Sequence, residues 1–192
     1  MKHNDPTKVI TGKNCVMSYL TISEPKSTNG GKEKYSVSII IPKSDRETER
    51  AIRAAIQAAY EAGQNKLRGS NGKVPPLDKV WYPLRDGDEE RPEDEAYRNA
   101  WFVSAKSLTK PNAYDRAGQK IQDTEDATVL YSGIIGRASI NFYAFNVDGN
   151  RGIACGLNAI QKIADGTPLG GRHATDDDFD ALEEDDGEDF LA

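Results

Sequence analysis

Cysteine and histidine are nearly absent from this chain, and their scarcity removes several classes of chemistry. Two cysteines, Cys15 and Cys155, are too few for a disulfide framework, and with His3 and His173 they form no zinc-ligand spacing. Both cysteines are therefore expected to be reduced, in or near a core. With its only histidines close to the two ends, the sequence offers no base for a Ser/His or Cys/His mechanism, and it has no nucleophile-elbow motif. The pairs Gly12-Lys13, Gly31-Lys32 and Gly72-Lys73 lack the upstream glycine and the following Ser or Thr of a phosphate-binding loop. No apolar run approaches the ~20 residues that cross a bilayer. The opening MKHNDPTKV has none of the apolar segment of a signal peptide, so the expected compartment is the cytoplasm. No internal repeat recurs at solenoid periods.

What the chain has in excess is negative charge at one end. Asp176 to Ala192 hold ten carboxylates and no basic residue, with apolar side chains at Phe179, Leu182, Phe190 and Leu191. Like charge at this density repels itself and buries too little to fold, so a mobile tail is expected. Setting those ten acids aside leaves 25 basic against 21 acidic residues, turning a net −6 into +4. A mildly basic body joined to an acidic tail suits competition between tail and an anionic ligand for one surface. A purely solubilising tail is the plainer reading, but it has no use for Phe190 so near the end.

Between these extremes the pattern is mostly β. Residues 9–22 read as a first strand ending near Pro25, and KYSVSIIIP (34–42) alternates Tyr35, Val37, Ile39 and Ile41 with Lys34, Ser36 and Ser38. Ser44 and Glu47 have capping-box spacing, and Ile52, Ala55, Ile56, Ala59 and Tyr60 recur at helical intervals, predicting an amphipathic helix over 45–62. A basic loop follows to Pro76, then a short strand KVWYPL (79–84) and the strand AWFVSAKS (100–107). The chain is expected to return to strand from Thr128 with a bend at Ser132-Gly133. It then enters its longest strand, GRASINFYAFNV (136–147), which turns at Asp148-Gly149-Asn150 and pairs with RGIACGL. Leu157, Ile160 and Ile163 suit a short closing helix. Five or more strands, one inserted helix and no βα alternation predict a mainly β fold, a small antiparallel barrel, with a β-sandwich as the structural alternative.

The same alternation yields a candidate binding face. Lys34, Trp81, Phe102, Lys106, Arg137 and Tyr143 all fall opposite the apolar row of their strands, and nearby loops add Lys110, Tyr114 and Arg116. Cations for phosphates and rings for bases are what sequence-tolerant single-strand binders combine. The plainer alternative is that these aromatics cover a second small core under a loop. The acidic residues Asp86, Asp88, Glu89 and Glu90 raise a different possibility, a divalent ion in a nuclease-like site, although such clusters are more often solvated loops. Duplex recognition is disfavoured, because the one secure helix has an alanine-rich packing face and no partner helix.

The blocks KYSVSIIIPKSD, AWFVSAKS, LYSGIIGRASINFYAFN and GNRGIACGLNAIQKIADGTPLGG, in this order, resemble a family of bacteriophage single-stranded DNA-binding proteins once catalogued as a domain of unknown function. The likeness runs from about Val9 to Gly171. It implies an OB-fold, a five-stranded barrel, over 9–166, preceded by a flexible 1–8 and followed by a linker and acidic tail over 167–192. It further implies a non-enzymatic, cofactor-free role in phage replication or recombination inside an infected cell. Asp185, Asp186, Glu188, Asp189 and Phe190 would then dock replication proteins such as a polymerase or helicase. A monomer and a homodimer are both open. The competing readings are a metal-dependent nuclease using Asp86 and Asp88, and an interaction module whose tail mimics DNA.

Overall fold

The computed structural model describes residues 4–27 and 30–169. The tail, its docking residues Asp185, Asp186, Glu188, Asp189 and Phe190, and both histidines lie outside them. Along the chain run β1 (Lys8–Ile10), β2 (Cys15–Lys26), β3 (Lys34–Pro42), the helices α1 (Arg46–Ala62) and α2 (Gln64–Leu67), β4 (Arg85–Asp86), the single turn α3 (Gly87–Glu90), β5 (Ala100–Ser107), β6 (Asn112–Tyr114), β7 (Ile135–Val147) and β8 (Asn150–Ala164). Five of these strands close on themselves: β7 pairs with β2, β2 with β3, β3 with β5, β5 with β8, and β8 with β7 again. Counted from the N-terminus, the ring reads 1-2-3-5-4-1. Its one parallel seam is β5–β8, at Lys106 and Gly156. Strands β1, β4 and β6 pair outside the ring, with β7, β5 and β8.

Alternation fills the barrel. Val37, Ile39 and Ile41 of β3, Val103 and Ala105 of β5, and Ala138, Ile140 and Phe142 of β7 point inward and are buried with Ile153, Leu157 and Ile160 of β8. The helix adds Ile52, Ala55, Ile56 and Ala59, and each fully buried isoleucine contributes roughly 1.5–3 kcal/mol relative to exposure. Its cap lies one residue beyond the expected Ser44: the Asp45 carboxylate accepts from the Thr48 amide at 3.1 Å and from its hydroxyl at 2.6 Å. Thr48 Oγ1 in turn accepts from the Gly12 amide at 2.8 Å, tying the helix start to the break between β1 and β2.

Other expectations are corrected too. The first strand is two, β1 and β2, and β2 runs through Pro25 rather than ending there. KVWYPL is not a strand: a 3-10 turn occupies Leu77–Lys79, Pro83 lacks a donor, and Trp81 alone forms a bridge, to Gly152. Residues 128–134 form turns in which Asp126 accepts from Thr128, and the strand begins only at Ile135. The closing helix is absent, because β8 continues to Ala164 and, not β7, is the longest strand. Ser139 pairs with Ala159 while Ile140 pairs with Leu157, so Asn158 is one residue too many. That bulge puts the buried Leu157 and Ile160 three apart, which imitates a helical period within a strand.

Candidate nucleic-acid interface

A groove of about 800 Å3 runs over the outer side of β3 and β5 and along the β7–β8 hairpin. Five of the nine sequence-predicted body residues line it: Lys34, Trp81, Phe102, Lys106 and Tyr143. Trp81 and Tyr143 are half exposed, at 52% and 45%. Burial against its neighbours pushes the Tyr143 phenol above its usual value, keeping it a neutral hydroxyl. Lys34 and Lys106 enter no ion pair among the described residues.

Phe102 departs from expectation. It falls opposite the apolar row of its strand, yet only 5% of it is exposed. It packs edge-on against Tyr97, with ring centroids 5.1 Å apart and planes at 86°, in a second cluster with Ile40 and Ala100 under the 87–97 segment. Tyr97 is itself fixed by donating its hydroxyl to Ser38 Oγ at 2.9 Å. Phe102 is therefore the floor of the groove rather than a free platform.

Alternation did not disclose the groove's other lining residues, among them Arg85, Arg91, Ser104 and Phe145. The Arg85 guanidinium lies 4.0 Å from the Trp81 ring centroid and is ion-paired with Glu90, a carboxylate that also lines the groove. Arg91 sits over Tyr97 and Phe102, at 4.8 and 5.1 Å. Both arginines lie in the acidic, poorly patterned stretch 85–98, where no periodicity marks them.

Trp81 is held by the hairpin. Its amide donates to Arg151 O and its carbonyl accepts from the Ile153 amide, both at 3.0 Å. Between them, Gly152 leaves no room for a side chain: a Cβ there would meet Trp81 Cβ at 2.4 Å and Trp81 O at 2.6 Å. Glycine is thus what lets one residue of an irregular segment lie directly on β8.

The remaining predicted residues do not join this groove. Tyr114 and Arg137 line a separate shallow depression with Ile10, where Arg137 Nε donates to Gln161 Oε1 at 2.7 Å. Lys110 and Arg116 line neither. Arg137 and Tyr143 share the outward face of β7, but six residues of strand span about 20 Å, and a barrel strand twists and curves over that length. Residues of the same parity thus line separate depressions.

The acidic cluster is organised around a cation of the chain's own. Lys43 Nζ contacts Asp86 at 2.8 Å and Asp88 at 2.7 Å, and Asp88 also accepts from the Asn99 amide at 2.9 Å. Hydrogen bonds from Lys43 and then Asn99 hold the Asp88 carboxyl below its usual range. Among the described residues no three His, Cys, Asp or Glu side chains are grouped to hold a metal ion. Burial raises both thiols, Cys15 to about 11 and Cys155 further, leaving them protonated and inert. No helix of the described residues is long and apolar enough to cross a membrane.

A closed five-stranded barrel with a groove over its second and third strands and its last hairpin is an OB-fold protein, with the groove where that fold reads oligonucleotides. Residues 7–191 match the family model described as Enterobacter phage Enc34, ssDNA-binding protein. The chain belongs to that family. Among solved structures it is similar to the single-stranded DNA-binding protein from bacteriophage Enc34 in complex with ssDNA, at 22% identity and a TM-score of 0.70, covering 85% of this chain and 90% of that one. A second structure of the single-stranded DNA-binding protein from bacteriophage Enc34 gives 20% identity and a TM-score of 0.67, over 90% and 89% of the two chains. It is also similar to gp2.5, a single-stranded DNA-binding protein encoded by bacteriophage T7, at 16% identity and 0.60, over 93% and 96%. No curated protein matches the chain.

Proposed function

We propose that this protein binds single-stranded DNA without sequence preference, holding the strand in the β3–β5–hairpin groove during phage replication or recombination. The observation that supports this most directly is the co-location of half-exposed rings, Trp81 and Tyr143, with the cations Lys34, Lys106, Arg85 and Arg91 in one groove of an OB-fold. Bases stack on the rings and the cations take the phosphates, the two elements a sequence-tolerant single-strand site requires. Membership of a family described as ssDNA-binding adds to this reading. Lys110, Tyr114, Arg116 and Arg137 remain on the outer surface as contacts for a longer strand. The barrel acts by binding and performs no chemistry on the strand.

The tail supplies regulation. With ten carboxylates on a body of net +4, it competes with DNA for the basic groove when no strand is bound. Displaced by DNA, Asp185, Asp186, Glu188, Asp189 and Phe190 become available to replication partners in the infected cell. The test is fluorescence anisotropy of labelled oligo-dT and a matched duplex, titrated with the full chain and with a version ending at Gly171. Preferential single-strand binding that tightens on truncation supports both parts. Absence of binding by either version refutes the groove reading and favours an interaction module.

A further inference from the structure

Among the described residues, Tyr19 is the one aromatic with a left-handed backbone. Its φ is +47°, in the left-handed region that a bulky L-residue rarely enters, and its side chain is 58% exposed. The cause is a bulge in β2: Ser18 pairs with Ser38 and Thr21 with Ser36, so Tyr19 and Leu20 together oppose Val37. The left-handed position of such a bulge is usually glycine, and bulges beside sites re-aim side chains. The surroundings hold this one in place. Leu20 N donates to Ser132 Oγ at 2.9 Å, and the next turn is laced to β2 by Gly133 N to Met17 O at 2.7 Å and Met17 N to Ile134 O at 3.0 Å. A strained residue that presents an aromatic ring to solvent, fixed by long-range hydrogen bonds, points to use of that ring.

Two features say what the ring is used for. Tyr19 borders a second depression of about 900 Å3, lined also by Thr21, Lys26, Thr128 and Tyr131, which offers rings, hydroxyls and an ammonium together; its one carboxylate, Asp94, is engaged by the Ala96 amide at 3.1 Å. Tyr19 is also joined to the first groove by one cation, because the Arg91 guanidinium lies 5.4 Å from the Tyr19 ring and 5.1 Å from Phe102 in the groove floor. Arg91 thus stands on the ridge between the two depressions, where a phosphate crossing from one to the other would meet it.

We infer that Tyr19 and the depression beside it form a second single-stranded nucleic-acid subsite, continuous with the first groove through Arg91. The inference rests on the proposed function and extends it. A strand long enough to leave the first groove passes Arg91, stacks a base on Tyr19 and runs on toward Lys26.

The test uses the full chain and oligo-dT of increasing length, from about 4 to about 16 nucleotides, the span of site sizes known for OB-folds. Tyr19→Asn removes the ring with a residue that tolerates the left-handed backbone, and Tyr19→Phe keeps the ring. The wild type and Tyr19→Phe should gain affinity up to a longer length than Tyr19→Asn, whose affinity for the longest strands should fall roughly 5- to 150-fold while the shortest are unaffected. Equal losses at every length, or none at any length, overturn a separate subsite. If the wild type binds no oligonucleotide, the proposed function has failed and this inference falls with it. Photocrosslinking of the wild-type chain to strands bearing 5-iododeoxyuridine at successive positions gives a reading independent of any variant's folding. An adduct at Tyr19 with long strands supports the subsite, and none at any position overturns it.

Discussion

Replacing Gly152 with alanine should disable the groove without touching a residue that contacts DNA. The glycine backbone is not left-handed, so alanine is conformationally acceptable. The difficulty is space, since the new methyl carbon would lie 2.4 Å from Trp81 Cβ and 2.6 Å from its carbonyl oxygen. The 80–83 segment must lift, and the two 3.0 Å backbone bonds that hold Trp81 on β8 break. At about 0.5–1.5 kcal/mol each, their loss destabilises by roughly 1–3 kcal/mol, which in a domain of this size lowers Tm by roughly 2–12 °C. The larger consequence is for binding. Trp81 leaves the groove together with Arg85, and the loss of one base stack, about 1–3 kcal/mol, weakens oligo-dT binding roughly 5- to 150-fold. Anisotropy titration beside thermal unfolding measures both effects. Trp81→Ala should reproduce the binding loss, and combining it with Gly152→Ala should add little, since both act on one contact. Wild-type affinity in Gly152→Ala, or full additivity in the double variant, would refute the claim that Gly152 acts by seating Trp81.

Phe102→Ala and Tyr143→Ala should separate fold from function. Phe102, buried against Tyr97 and Ile40, should lose about 3–5 kcal/mol of stability and roughly 6–20 °C in Tm, whereas half-exposed Tyr143 should lose affinity with a smaller change in melting. Similar melting of the two variants would contradict this assignment. With Lys34, Lys106, Arg85 and Arg91 on phosphates, log K should fall with log salt at a slope of roughly −3, and Lys106→Ala should shallow it by about 0.7; an unchanged slope would remove Lys106 from the phosphate path. Asp88 has its carboxyl held below the usual value of 3.8 by Lys43 and Asn99, so its contribution to stability is complete above that value and disappears as pH falls through the lowered one. Melting compared between pH 3 and 6 should therefore show the wild type losing its advantage over Asp88→Asn only at the acidic end, and a constant gap would contradict the ion pair.

Local physics made much of this chain legible from its residues alone. Alternation in 34–42, 100–107 and 136–147 disclosed three barrel strands and their inward rows, because those rows are buried and a slip of one residue would turn them out of the barrel. The helix was legible for the same reason at its own period, and the hairpin from Asp148-Gly149, both left-handed in the structure at φ +51° and +86°. Charge alone divided the basic body from the acidic tail. Where tertiary contacts override local pattern, the sequence misled. The Leu157/Ile160 spacing mimicked a helix because a bulge inserted Asn158, and Trp81 was assigned to a strand when it is a single residue laid on Gly152. Strand parity could say that Trp81, Phe102, Arg137 and Tyr143 face outward, but not that Phe102 is covered by the 87–97 segment or that Arg137 and Tyr143 line separate depressions. Nor could it bring Arg85, Arg91 and Tyr19 beside the rings they contact. Parity is a property of a few adjacent residues, whereas a groove is set by barrel closure, twist and loop crossings that join residues far apart in the chain, and only the folded molecule decides those.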